Sequence, residues 1–261
     1  MEISEKIFPF EGDVSFEDLF GEFHVGGEVP EIPEFRIFVD KIPRKRDRLL
    51  VQALYLTAAR VSELCRRVSP SELVHDLSKP YGLLHGWKIG EYLGEKALLL
   101  RYAVAKRVKK EKRKDLLRFF SEFQAGKLNL ELANELKTAL TWKYIALPCN
   151  PFYEPWTVEL LKYIKQFRSL TFNLTRQRIW QIVKSCLKPL DPEIHTHSLR
   201  HYRVTHLASF YNFDGWDLCI YAGWTFKTTM GRLGMPSGQL DIYAHLPWKR
   251  YFPKLLKPLG I

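Results

Sequence analysis

Cysteine is scarce in this chain and poorly placed for chemistry. Cys65, Cys149, Cys186 and Cys219 are scattered, and no two have Cys-x-x-Cys spacing. Neither a zinc site nor a disulfide framework is therefore indicated. No apolar run approaches the ~20 residues needed to span a bilayer. The opening Met-Glu-Ile-Ser-Glu-Lys lacks the basic-then-apolar pattern of a secretion signal. Internal repeats and low-complexity tracts are missing as well. These absences lead us to expect an intracellular protein with no membrane partner.

What is present is enough for a large core. The 261 residues are 46% hydrophobic and 26% charged, an ordinary globular balance. The net charge of +11 is unevenly spread. Residues 1–34 hold ten acidic side chains and a single base, Lys6, for a net −9, whereas residues 35–261 carry +20. A body this basic has an electrostatic reason to meet a polyanion, because each neutralised phosphate releases condensed counterions. Lysine-rich solvated faces would give the same number. The acidic stretch also contains Pro9, Pro30, Pro33 and several glycines. It reads as an N-terminal arm over residues 1–40, with one short helix near Phe16–Phe23, ahead of a domain over 41–261.

Periodicity supplies the elements. Leu50, Ala53, Leu54, Thr57, Val61, Leu64 and Val68 form one apolar stripe, which predicts a continuous helix from Arg48 to Arg67. Residues 96–108 and Trp142–Pro148 read as strands, separated by the charge run Lys109–Lys114 and a helical stretch over 115–140. Helices are expected over Trp156–Phe167 and Thr175–Leu187. The coarse class is α+β, mainly helical, with a small antiparallel sheet.

The most unusual segment is His195-Thr-His-Ser-Leu-Arg-His-Tyr-Arg-Val-Thr-His206. On a helix, His197 and Arg200 are three apart and share a face. A guanidinium beside an imidazole makes sense when both donate to one anion, and phosphate is the natural candidate. A basic surface helix with incidental histidines would look similar. His197 and His201 have the i, i+4 spacing of two zinc ligands. However, no glutamate follows His197, and Leu199 stands where a His-x-His-x-Asp-His site needs aspartate.

His197-Ser-Leu-Arg200-His201, then Ala222-Gly-Trp224, then Asp241-Ile-Tyr243-Ala-His245 resembles the C-terminal half of the catalytic domain of tyrosine recombinases, the phage integrase family. Upstream, Thr57-Ala-Ala-Arg60-Val-Ser-Glu63-Leu64 is similar to that family's first arginine motif. The likeness spans roughly residues 40–250. It implies a tyrosine recombinase-like fold and a site-specific DNA recombinase or integrase. Such an enzyme breaks and rejoins strands through a 3′-phosphotyrosyl intermediate, with no metal, ATP or other cofactor.

The resemblance makes Arg60 and Arg200 the phosphate clamps, Glu63 the support of the first arginine and His197 the proton-transfer imidazole. Trp224 becomes an indole donor in place of the commoner histidine, and Tyr243 the nucleophile, with Tyr221 and Tyr251 as alternatives. It also implies a general-acid lysine after a strand: Lys106, with Lys109, Lys110 and Lys112 as alternatives. The implied partner is double-stranded DNA, gripped by a homo-tetramer in the cytoplasm or nucleoid, as mobile elements such as viruses and plasmids encode. Type IB topoisomerase-like relaxation and a non-catalytic DNA-binding regulator are the other readings.

The chemistry suits these residue types. Fixed guanidiniums stabilise the charge that develops on a pentacoordinate phosphorus. A phenol with a pKa of about 10 needs help to lose its proton. Two departures from the family stand out. About 40 residues precede the expected domain, too few for the usual helical DNA-clamping domain. The stretch from Trp224 to Tyr243 is long and contains Gly231, Gly234, Pro236 and Gly238, which favour turns and mobility.

Overall fold

The computed structural model describes residues 29–64, 73–74, 85–103, 142–167, 171–223 and 247–259. Within them the chain is α+β and mostly helical. Ile32–Asp40 forms helix α1, Lys45–Thr57 α2 and Val61–Leu64 the short α3. Pro155–Phe167 is α4, Arg176–Leu187 α5, Thr196–Ser209 α6, Gly215–Ala222 α7 and Pro247–Leu255 α8. Among the described residues, no helix is long and apolar enough to cross a membrane.

Helix α1 corrects the reading of residues 1–40 as an arm. A proline sits in its first turn, where the missing N–H costs nothing, and Ile32, Phe35, Arg36 and Val39 make an i, i+3, i+4, i+7 face that is buried. Phe35 packs against Tyr55, Trp156 and Tyr202. Arg36 is buried with it, ion-paired to Glu154 and lying 4.3 Å over the Trp156 ring. The end of the expected arm is thus part of the core, while residues 1–28 lie outside the described residues.

Helix α2 is buried along nearly its whole length, from Leu49 to Thr57, as a central core helix must be. It packs on α6 and α4. The single helix predicted from Arg48 is broken after residue 57, and residues 65–67 lie outside the described residues. Ala58 turns left-handed at φ 43°, ψ 36°, and a separate helix starts at Val61. The apolar stripe survives the break, because Val61 and Leu64 are also buried.

The sheet runs β1 (Leu73–Val74), β2 (His85–Tyr92), β3 (Glu95–Ala103), β4 (Trp142–Pro148), with β1 parallel to β2 and the other pairs antiparallel. Strand β2 went unread in the sequence. It joins β3 through Leu93 and Gly94, both at positive φ (56° and 75°), the two-residue turn that matches strand twist. β4 is an edge strand covered by α7 and α8. Its outward Ala146 N–H donates to the Tyr251 hydroxyl at 2.8 Å, so α8 satisfies an edge amide that would otherwise be open. The C-terminal tail around Trp248 and Tyr251 thereby packs on its own core.

The Arg36–Glu154 pair ties α1 to the start of α4. In Glu154→Ala, Arg36 would keep a buried charge with no counter-charge. The expected loss in unfolding free energy is about 3 kcal/mol or more, measured by chemical denaturation. A loss under about 1 kcal/mol, the range of a solvent-screened pair, would show that the pair does not hold the two helices.

Candidate active site

The turn at Ala58 gathers residues from three distant parts of the chain. The Arg200 guanidinium donates through Nη1 to the Ala58 carbonyl at 2.6 Å and through Nη2 to the Ala222 carbonyl at 2.8 Å. Lys143, near the start of β4, donates its Nζ to the Thr57 carbonyl and, at 2.9 Å, to that of Ala58. These carbonyls end helix α2, where its partial negative charge collects, so cations belong there. With both carbonyls held by side chains, the helix stops at residue 57.

Arg60 projects just past this turn. Its backbone N–H donates to Glu63 Oε2 at 3.0 Å, and its Nη1 to Glu63 Oε1 at 3.3 Å. Glu63 therefore caps the first amide of α3, as a glutamate three residues into a helix can, and also fixes the arginine. Glu63 is fully buried, whereas the Arg60 side chain keeps 24% of its surface exposed. The open side of this guanidinium faces solvent.

Helix α6 brings His197 and Arg200. The His195 ring accepts from the Ser198 N–H at 3.1 Å, and the Ser198 hydroxyl receives the His195 N–H at 3.2 Å, a reciprocal cap that fixes the first turn. Leu199, Val204 and Leu207 are buried. His197 stands in that first turn with an exposed edge. Partial burial of the ring, then the charges of Arg200, His195, Arg60 and His201, push it down to about 4. Arg200 is pushed down to about 10, by burial and then by the charge of Arg60.

Arg60, Glu63, His197 and Arg200 are thus brought together, although Arg60 and Arg200 stand 140 positions apart in sequence. Arg200 is only 3% exposed and has given two of its five N–H groups to carbonyls. Arg60 and His197 form the accessible rim, and Arg200 acts from beneath. Positive charge exceeds the single carboxylate of Glu63, an arrangement suited to an oxyanion at the N-terminal end of α6.

Lys106, Trp224 and Tyr243 lie outside the described residues, as do Lys109, Lys110 and Lys112. The alternative nucleophiles are described, and both are sequestered. Tyr221 is buried, receives the Arg203 Nε and Nη2 donors at 3.3 and 3.1 Å and donates to the Leu56 carbonyl. Tyr251 is buried on the Ala146 amide. Neither phenol is available to a substrate. His201 does not complete a metal cluster: among the described residues no three His, Cys, Asp or Glu side chains gather as metal ligands would.

Lys143 is the residue that the sequence reading missed. A signal existed: strand alternation puts Lys143 on the same face as Ile145 and Leu147, and all three are buried. Burial, offset by Glu63 and reinforced by Arg200 and Arg60, lowers its amine well below the ordinary lysine value.

Compared with family models, with curated proteins and with solved structures, the chain matches none.

The shift at His197 has a definite sign. The unfolded imidazole takes up a proton near 6.5, the folded one only near 4. Whatever stability neutral His197 contributes is therefore complete above pH 6.5 and is lost as pH falls toward 4. An NMR titration is expected to give a midpoint near 4 for His197, moving upward in Arg60→Met. A midpoint that stays the same when Arg60 is removed would contradict the electrostatic picture.

Proposed function

We propose that this protein breaks and rejoins DNA strands, with Tyr243 as nucleophile, in the manner of a site-specific tyrosine recombinase. The observation that carries this reading is the meeting of Arg60 and Arg200 at the Ala58 turn, with His197 on the rim. Those are three of the residues that the resemblance marks as phosphate-handling, and the fold gathers them from two remote segments.

In the proposed reaction the Tyr243 phenolate oxygen attacks the scissile phosphorus. A bond forms between tyrosine and phosphate while the bond to the 5′ oxygen breaks, and that oxygen leaves with a proton. His197, neutral at physiological pH, can accept the phenol proton. Arg60 meets the non-bridging oxygens and Arg200 adds its charge from below, where the transition state gains negative charge. The resemblance assigns the proton for the leaving oxygen to Lys106 and a further donor to Trp224. The ester link to tyrosine conserves the bond energy, so the reverse attack by a 5′ hydroxyl rejoins the strand without ATP.

Duplex DNA as substrate gains support from α5, which packs against both α3 and α6. Arg176 and Arg178 are exposed on it, exposed Lys188 follows its last turn, and Trp180 is 46% exposed. Exposed basic residues on a helix that packs beside the site suit backbone phosphates flanking the one that reacts.

Incubation with mixed nicked duplexes tests the proposal. A protein–DNA adduct that survives denaturation is expected for the native chain and absent for Tyr243→Phe. An adduct that persists in Tyr243→Phe would refute the nucleophile. A native chain that forms none on any substrate would contradict the activity.

A further inference from the structure

The buried Lys143 amine costs stability, since an amine removed from water loses its hydration. An apolar side chain of equal length would fill the same space without that penalty. What the amine supplies is geometry. It holds the Thr57 and Ala58 carbonyls, and Ala58 has the left-handed backbone that a residue with a side chain disfavours. Without side-chain donors on those carbonyls, the apolar stripe from Leu50 to Leu64 favours continuing the helix straight through. Each residue of α-helix turns about 100°, so a continuous helix would aim Arg60 elsewhere.

The stem of the same side chain touches a second part of the site. Gly223, left-handed at φ 68°, caps α7, and a Cβ there would lie 3.1 to 3.2 Å from the Lys143 Cβ, Cγ and Cδ. The preceding carbonyl, that of Ala222, receives the other Arg200 donor. Lys143 therefore lies between the turn that leads to Arg60 and the end of the helix that leads to residue 224. Arg200 bonds to both segments as well.

We propose that Lys143 is a positioning residue for the oxyanion site: its amine locks the Ala58 turn that aims Arg60, and its stem packs against the Gly223 cap. It touches no substrate in this scheme and is distinct from the general-acid lysine. The inference rests on the reading of Arg60, His197 and Arg200 as a phosphate site.

Inorganic phosphate titrated into the full chain at pH 7, followed on the His197 imidazole resonances, tests both levels separately. Arg60→Ala examines the underlying reading: if phosphate affinity does not fall, that reading fails whatever Lys143 does. Lys143→Met keeps the stem and removes the amine, and is expected to weaken phosphate about tenfold through misplacement of Arg60. Gly223→Ala pushes on the stem and is expected to weaken it in the same direction. Leu160→Ala removes a core side chain from α4, which carries none of these residues. It is expected to lower Tm without changing phosphate affinity, and so separates position from stability. Unchanged affinity in Lys143→Met, with loss in Arg60→Ala, overturns the proposal. Should Lys143→Met fail to fold, Gly223→Ala decides: weakened binding supports the positioning role and unchanged binding overturns it.

Discussion

The Ala58 carbonyl accepts from two side chains at once, Arg200 from helix α6 and Lys143 from strand β4. Most of the site follows from this contact. Capture of that oxygen ends α2 and stabilises a left-handed alanine. The chain is thereby turned so that α3 starts with Arg60 at its edge and Glu63 beneath it. Because Arg200 also holds the Ala222 carbonyl, the same contact anchors the end of α7. One oxygen at a helix C-terminus thus links the first arginine, the second arginine and the segment leading to residue 224.

Such a cluster would be unstable in an ordinary core. Burial and then the charges of Arg200 and Arg60 lower the Lys143 amine, burial and then Arg60 lower Arg200, and Glu63 opposes the shift in both cases. The fold tolerates this by surrounding the site with a rigid interior. Arg203 lies among the rings of Tyr55, Tyr211 and Tyr221. His206 bridges the Tyr55 hydroxyl and the Pro30 carbonyl, at 2.8 Å each. These buried polar groups all sit on or against α6, so the helix that carries His197 and Arg200 has little freedom to retreat from the repulsion. Fixed positive charge held open to solvent at Arg60 is the kind of preorganised arrangement that the proposed oxyanion site requires.

Local signals were read well where one periodicity ran between clear stops. β4 begins and ends where the run Trp142–Pro148 predicted, and α4 and α5 match within a residue. Prolines at 148, 151, 155 and 189 bound these elements, which is why they were legible. β2 was missed because His-Gly-Trp-Lys-Ile-Gly-Glu-Tyr has glycines and charges where strands usually carry branched side chains, and its Leu-Gly turn is not a common hairpin pair. The break at Ala58 could not be read locally, because the groups that cause it lie 85 and 142 positions away. Glu28 and Glu31 ahead of Ile32–Asp40, with Glu34 in its first turn, give it the look of an acidic arm. Its apolar face is only four residues, and one of them is Arg36, whose burial depends on Glu154. Arg60, Glu63, His197 and Arg200, which the motifs single out, come together beside Ala58, while Lys143 has no motif to announce it.

A tetrahedral oxyanion heavy enough to locate by its own scattering offers the most direct measurement. In crystals of the full chain soaked with tungstate, the anomalous signal is expected to show one anion in contact with Arg60 and His197, above Arg200, with Ala58 left-handed. Anions bound only to the outer face of α5, with the space between Arg60 and His197 empty, would contradict the account.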